Sequence, residues 1–421
     1  MKPLLLAALL TLTATVPLGA EFQAGVAHTD ITPLPGEMMT AMGGKDVAVE
    51  KIHDPLAANI IVFQNGSDQL AIVSLDQIGA ENMDDIRAGV RERTGIANVI
   101  CVVTHTHGSG RSSEAHAQRT LPLILDAAVQ AQANLAPARI GFGSGEQHLG
   151  YNRRIVQEDG SVEMMWNNRD RIPSGPTDPE VGVLVVQHAE THDVIATLVN
   201  YAVHPVISMN FSELIISADY PGVMAREIEE AVGGRCIFFM GAAGDINPFD
   251  ADMFRYATPD EVFAQVKITG HLLANEVIET IEDINDFDAD PTVRYGQSFL
   301  PMADRAAGPE GAKDRQIEVN TILLGDDFAM ATFPGELFVQ LGLDLKSQSP
   351  TAATWVLGVT NELNWYIPTL KATTEGGYGA AWGTDLEVGA GERMVLEALV
   401  SIHHQLGLVQ PLQSLLDQLL D

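Results

Sequence analysis

The sequence is poor in cysteine, in basic residues and in long hydrophobic runs. It has two cysteines, Cys101 and Cys236, each inside an apolar strand-like run. They are compatible with a bridge or with two buried thiols in neighbouring strands, so neither metal nor redox chemistry is assigned to them. Lysine and arginine number 24 against 56 acidic residues, a net charge of −32. Such a chain repels phosphate backbones and anionic headgroups, which removes nucleic acid from its partners and reads as a solvated acidic surface. After the N-terminal stretch no run is long enough to span a bilayer, so no transmembrane segment is expected.

Several hydrolase signatures are missing as well. Around Ser144 the run GFGSGE has the wrong spacing for a serine-hydrolase elbow, and Ser109 lacks the flanking glycines. No His-Glu-x-x-His helix occurs. His107 is followed by Gly108, Ser109 and Gly110, which breaks the His-x-His-x-Asp-His pattern of two-metal β-lactamase-like folds. The eight strand–helix units of an amidohydrolase barrel are not found.

What is present begins with a leader. Residues 1–20, MKPLLLAALLTLTATVPLGA, carry Lys2, an apolar middle and small residues, the pattern of a cleavable signal peptide; the expected location is secreted or periplasmic. Residues 21–421 show no internal repeat or linker and read as one large catalytic domain.

The segments NIIVF and LAIVSLD predict a hairpin, MDDIRAGVRERTG a helix and NVICVVTHTH a buried strand. RTLPLILDAAVQAQANL predicts a helix begun or bent at Pro122. VGVLVVQ, VIATLVNYAVHP, RCIFFM and TWVLGVTN predict strands, DYPGVMAREIEEAVGG and GELFVQLGLDLKSQ helices, and EVNTILLG with FAMATFPGE a second hairpin. Hairpins interleaved with helices predict an α/β chain with mixed, α+β-like sheets.

Four apolar runs end in residues able to do chemistry: His105 and His107, His204, Asp245 with Asn247, and Glu336. Loops at the ends of buried strands are where α/β folds place their sites. His105 and His107 are two apart on an extended segment, so both can face one cavity. One can ligate a metal while the other moves protons; spacing alone leaves that open.

The stretch VVTHTHGSG resembles the THTHSGP segment of the neutral/alkaline non-lysosomal ceramidases. AGVAHTDITP, VSLDQ, YNRR, NYAVHP, GAAGDINP, FPGELF and TNELNWYIPTLKATTEGGYGA resemble further motifs of that family in the same order.

The resemblance implies a ceramidase-like catalytic domain with a mixed-sheet core. It also implies zinc held by His105, His204, Glu336 and Tyr366, and catalytic roles for His107, Arg153 and Tyr378. The implied activity is zinc-dependent hydrolysis of a linear N-acyl amide, a ceramide-like lipid of sphingolipid metabolism or a smaller N-acyl compound. Asn247 stands where the family has a serine, and an amide cannot be a nucleophile, so hydrolysis is expected to use metal-activated water with Asn247 orienting substrate. The chain is also expected to lack the family's C-terminal β-sandwich. Two alternatives remain: a zinc esterase or lactonase, and an inactive ceramidase-like binding protein.

Overall fold

The computed structural model describes residues 22–41, 44–79, 82–209, 214–249, 251, 258–307 and 315–409; the leader, residues 1–20, lies outside them. Eight strands form the large sheet: β1 (Gln23–Asp30), β2 (Ala57–Asn65), β3 (Asp68–Leu75), β4 (Asn98–Val103), β5 (Ala136–Glu146), β6 (Glu180–His188), β7 (Val194–Tyr201) and β8 (Arg235–Met240). Their order across the sheet is β8-β7-β6-β5-β1-β2-β3-β4. The pairs β3–β4 and β7–β8 are parallel and the others antiparallel, so the sheet is mixed as expected.

A parallel pair needs a crossover, and helices provide it. Helix α1 (Met83–Thr94) joins β3 to β4, and α2 (Glu114–Ala133) follows β4 and packs on β1. In the second half α3 (Asp219–Val232) joins β7 to β8, and α4 (Pro259–Asp283) follows β8 and packs on β5. The two halves therefore share one topology about the β1–β5 seam, a repeat that the amino-acid sequence does not show.

Along β2 the side chains of Ala58, Ile60 and Val62 face the helices, while Ile61 and Phe63 face a second sheet. Successive strand residues point to opposite faces, and with both faces covered the strand reads as a continuous apolar run. The second sheet runs in the order β9 (Val293–Met302), β10 (Arg315–Leu324), β11 (Phe328–Thr332), β12 (Ala353–Leu357). Its far face packs through Ile317 and Val319 onto Leu341 of α5 (Val339–Gln348) and Met394 of a C-terminal helix. Short α6 (Leu370–Glu375) precedes that helix, α7 (Ala390–Gln405). The layers are thus helix, sheet, sheet, helix. At the sheet–sheet contact the Trp355 ring lies over Gly182, where a Cβ would sit 2.4 Å from the indole nitrogen.

Two expectations need correction. Helix α2 begins at Glu114, capped by the Ser113 hydroxyl, and passes through Pro122 without ending; Pro122 is on the exposed face, where the carbonyl it leaves unpaired can turn to water. The helix expected from Gly335 starts at Val339, because Glu336–Leu337 is a short strand paired in parallel with Tyr366–Ile367.

The two edges of the large sheet meet, with β4 and β8 in contact. Each step between neighbours turns by about 20–25°, and over the steps of an eight-stranded sheet the rotation approaches half a turn. The C-terminal ends of β4 and β8 then face the same side. The residues after β12 stitch them: the Gly358 N–H donates to Met240 O at 2.9 Å and the Asn361 N–H to Cys101 O at 2.7 Å. Cys101 and Cys236 are free and buried in these outer strands. Among the described residues no helix is long and apolar enough to cross a membrane.

Candidate metal centre

The tails of β4 and β7 deliver the histidines. His105 has φ 63°, a left-handed conformation that non-glycine residues hold only when their surroundings impose it. Its ring is pinned from behind by a 2.5 Å contact from Nδ1 to Ile78 O. His107 opens a one-turn 3-10 helix, and its N–H donates to Pro205 O at 3.0 Å, tying the β4 tail to the chain after His204. The His204 Nδ1 lies 2.6 Å from Ala243 O. A carbonyl oxygen cannot donate, so in both His105 and His204 the Nδ1 carries a proton and Nε2 faces inward.

The ligating atoms of His105, His107 and His204 lie within 4.8 Å of one another. The Glu336 Oε2 joins them, 2.8 Å from His204 Nε2 and 3.5 Å from His105 Nε2. Burial pushes the Glu336 carboxyl up, but the His105 and His204 rings outweigh it and hold the group well below the usual carboxylate range. Burial likewise lowers the His204 imidazole, and lowers His107 well below its ordinary value with help from His105 and His204. Three imidazole nitrogens and a carboxylate oxygen form a donor set suited to a divalent cation. His107 Nε2 lies 3.3 Å from His105 Nε2. The buried His107 Nδ1 has no hydrogen-bond partner, unlike the Nδ1 atoms of the other two rings.

Glu336 arrives on its two-residue strand with Tyr366 directly opposite. The Tyr366 ring is buried, 6.5 Å from the His204 ring and 4.9 Å from Tyr378. Burial, followed by the Glu336 charge, raises its phenol well above the ordinary value. Arg153 completes this wall. Its guanidinium is 5.2 Å from the Tyr366 and Tyr378 rings and 5.5 Å from Trp166. Nη1 donates to Asn247 Oδ1 at 3.1 Å and Nη2 to Gly244 O at 2.7 Å, while buried Nε has no partner.

All eight candidate residues therefore meet in one region: His105, His107, His204 and Glu336 at its floor, Tyr366, Tyr378, Arg153 and Asn247 along one side. His107 lies inside the donor cluster itself. Asp245 does not touch a histidine; its carboxylate accepts from Val339 N and Asn152 Nδ2, both at 2.8 Å, bracing the loop after β8 against α5. Gly244 serves close approach, because a Cβ there would lie 2.4 Å from Glu336 O. Asp76 accepts from the Ala57 N–H, and Asp219 from Ser208 and Tyr220, so both shape loops. Trp166 was missed by the sequence reading. The turn at EDGS folds Arg154–Val156 against Val162–Met164, returning Trp166 to Arg153.

No protein-family model matches the sequence, and neither does any curated protein. Solved structures do match in shape. One is a ceramidase complexed with C2, with a TM-score of 0.75, 17% identity, and coverage of 92% of this chain and 76% of its own. Another is the neutral ceramidase from Pseudomonas aeruginosa, with a TM-score of 0.74, 16% identity, and coverage of 93% and 75%. At these identities the likeness is one of fold, and the chain has the neutral ceramidase fold over nearly all of its length.

Proposed function

We propose that the protein is a metal-dependent hydrolase of N-acyl amides, with zinc as its ion and water as its nucleophile. The observation that carries this reading is the buried convergence of His105, His107, His204 and Glu336. The ceramidase fold supports it by linking the same architecture to cleavage of an amide-linked lipid.

In this reading His105, His204, Glu336 and Tyr366 hold the ion, with the two Nδ1–carbonyl contacts fixing the rings. A zinc ion held there would supply a water whose pKa is lowered to about 7 and polarise a substrate carbonyl. His107 takes the proton of the attacking water, a step open to an imidazole that burial keeps neutral. Arg153 and Tyr378 stabilise negative charge on the carbonyl oxygen, a contribution of about 3 kcal/mol for a single well-placed donor. His107 then returns its proton to the leaving amine. Asn247, fixed by Arg153 through its Oδ1, presents its amide to the substrate and forms no covalent intermediate. Having an amide here in place of a serine favours a small N-acyl compound or an ester beside ceramide as substrate.

Two measurements test this reading together: metal analysis of the purified protein, and a chelator-sensitive screen of N-acyl amides and esters of graded chain length. Stoichiometric zinc with chelator-sensitive amide cleavage is the expected result. Zinc without turnover on any of them points to a binding protein, and a metal-free protein with unchanged activity refutes the reading.

A further inference from the structure

Behind the metal centre lies a groove of about 320 Å³, at the lower end of ligand-sized cavities. Ile78, Met83, Leu363 and Trp365 supply its apolar lining. Arg111 lies across one wall with its guanidinium 5.2 Å from the Trp365 ring centroid. That ring is 40% exposed.

Arg111 differs from the half-buried arginines that hydrogen-bond within the protein. The chain carries 24 basic residues against 56 acidic ones, so acceptors for an arginine are plentiful. Arg87, Arg119, Arg154 and Arg235 each pair with a carboxylate. Arg111 is half-buried and, among the described residues, contacts only the Trp365 ring through its side chain. Of the groove's other polar groups, Asn361 bonds Cys101 N and Glu318, Ser112 meets His116, Asp84 pairs with Arg87, and Glu362 is exposed. A guanidinium with its fork of donors unused, beside an apolar channel, matches one kind of molecule: a single carboxylate on an apolar tail. Asp84 and Glu362 on the rim disfavour a second negative charge.

We propose that this groove is a binding site for a monocarboxylate with an apolar tail, with Arg111 on the carboxylate and Ile78, Met83, Leu363 and Trp365 along the chain. The site is separate from the donor cluster yet joined to it by backbone. Ile78 O holds the His105 ring and Trp365 O accepts the Glu336 N–H at 2.8 Å. Two sources share this chemistry, a free fatty acid and an N-acyl amino acid.

The test is calorimetric titration of chelator-treated protein with decanoate, N-decanoylglycine and decanol below their aggregation concentrations, independent of any turnover. Decanoate or N-decanoylglycine is expected to bind at least about tenfold more tightly than decanol, and Arg111→Gln to remove that preference. Each added methylene tightens binding about fourfold until the groove is full. Trp365→Ala weakens acid and alcohol alike and reports on the apolar wall if Arg111→Gln is poorly folded. Tighter binding of decanoate identifies the free acid as the source, and tighter binding of N-decanoylglycine the conjugate. Equal affinities for acid and alcohol in the unmodified protein, or a carboxylate preference that survives Arg111→Gln, overturn the proposal.

Discussion

The two halves of the large sheet repeat one topology and end in different chemistry. In the first, the outer strand β4 runs on into His105 and His107; in the second, the inner strand β7 supplies His204 and the outer strand β8 ends in a glycine-rich loop. Both loops are held by close backbone approach. A Cβ on Gly108 would lie 2.4 Å from Ser208 Oγ in the other half, and one on Gly244 would lie 2.4 Å from Glu336 O. Shared topology places the ends of the strands, and local residue choice then decides whether an end carries a ligand or a support.

The largest effects should come from removing one histidine from each half. His105→Ala and His204→Ala are each expected to empty the metal site and reduce hydrolysis to background, as read by metal content after dialysis. Full metal occupancy in either variant would show that the halves do not contribute equally. His107 has no counterpart in the second half, and its removal separates holding from reacting. His107→Ala should retain the ion and slow turnover about 10²- to 10⁴-fold; loss of metal to the same extent as in His105→Ala would make it a ligand.

A third contrast lies at the starts of the crossover helices. Asp84 in the first turn of α1 is exposed, whereas Asp219 in the first turn of α3 is fully buried. Burial outweighs the hydrogen bonds from Ser208 and Tyr220 and pushes Asp219 up to about 6 from 3.8. Because its folded value is raised, folding is unaffected below about pH 4 and is penalised as pH rises through about 6, by about 3 kcal/mol. Apart from a constant loss of one acceptor, Asp219→Asn should therefore gain stability relative to the unmodified protein between pH 4 and 7. Denaturant melts at several pH values measure this, and a pH-independent difference would contradict the buried-charge account. The smallest effect belongs to Gly244→Ala, which displaces the loop whose Ala243 carbonyl orients His204. Metal affinity should fall about 10- to 100-fold, with histidines and carboxylate intact.

Much of this architecture was legible in the sequence because buried strands announce themselves as apolar runs. NIIVF, NVICVV and RCIFFM all form strands of the large sheet. The runs NVICVV, VIATLVNY and FAMAT end shortly before His105, His204 and Glu336, so strand ends marked these residues as candidates, while their convergence was an inference. The rest was hidden for identifiable reasons. Strand β5 reads as ARIGFGSGE, with glycines where α4 packs closely: a Cβ on Gly141 would lie 2.7 Å from Ile284 and one on Gly145 would lie 2.1 Å from Glu276. Its signal as a strand was weakened by that packing. Helix α4 was overlooked although Thr258 and Glu261 form a complete capping box. Pro122 suggested a helix start or a bend, and the start was misplaced because proline's cost depends on which face it occupies, which sequence does not show. The short strand at Glu336 was invisible because its ladder partner, Tyr366, is distant in sequence and neither residue has a local strand pattern.

The segment between Leu357 and Tyr366 has a consequence in time as well as space. It ties the edges of the large sheet together and delivers Tyr366 beside Glu336, itself 132 residues beyond His204. During synthesis the three histidines leave the ribosome long before Glu336 and Tyr366 do. A nascent chain can therefore display imidazoles without a finished cage, and competence for chemistry arrives as one of the last events of folding.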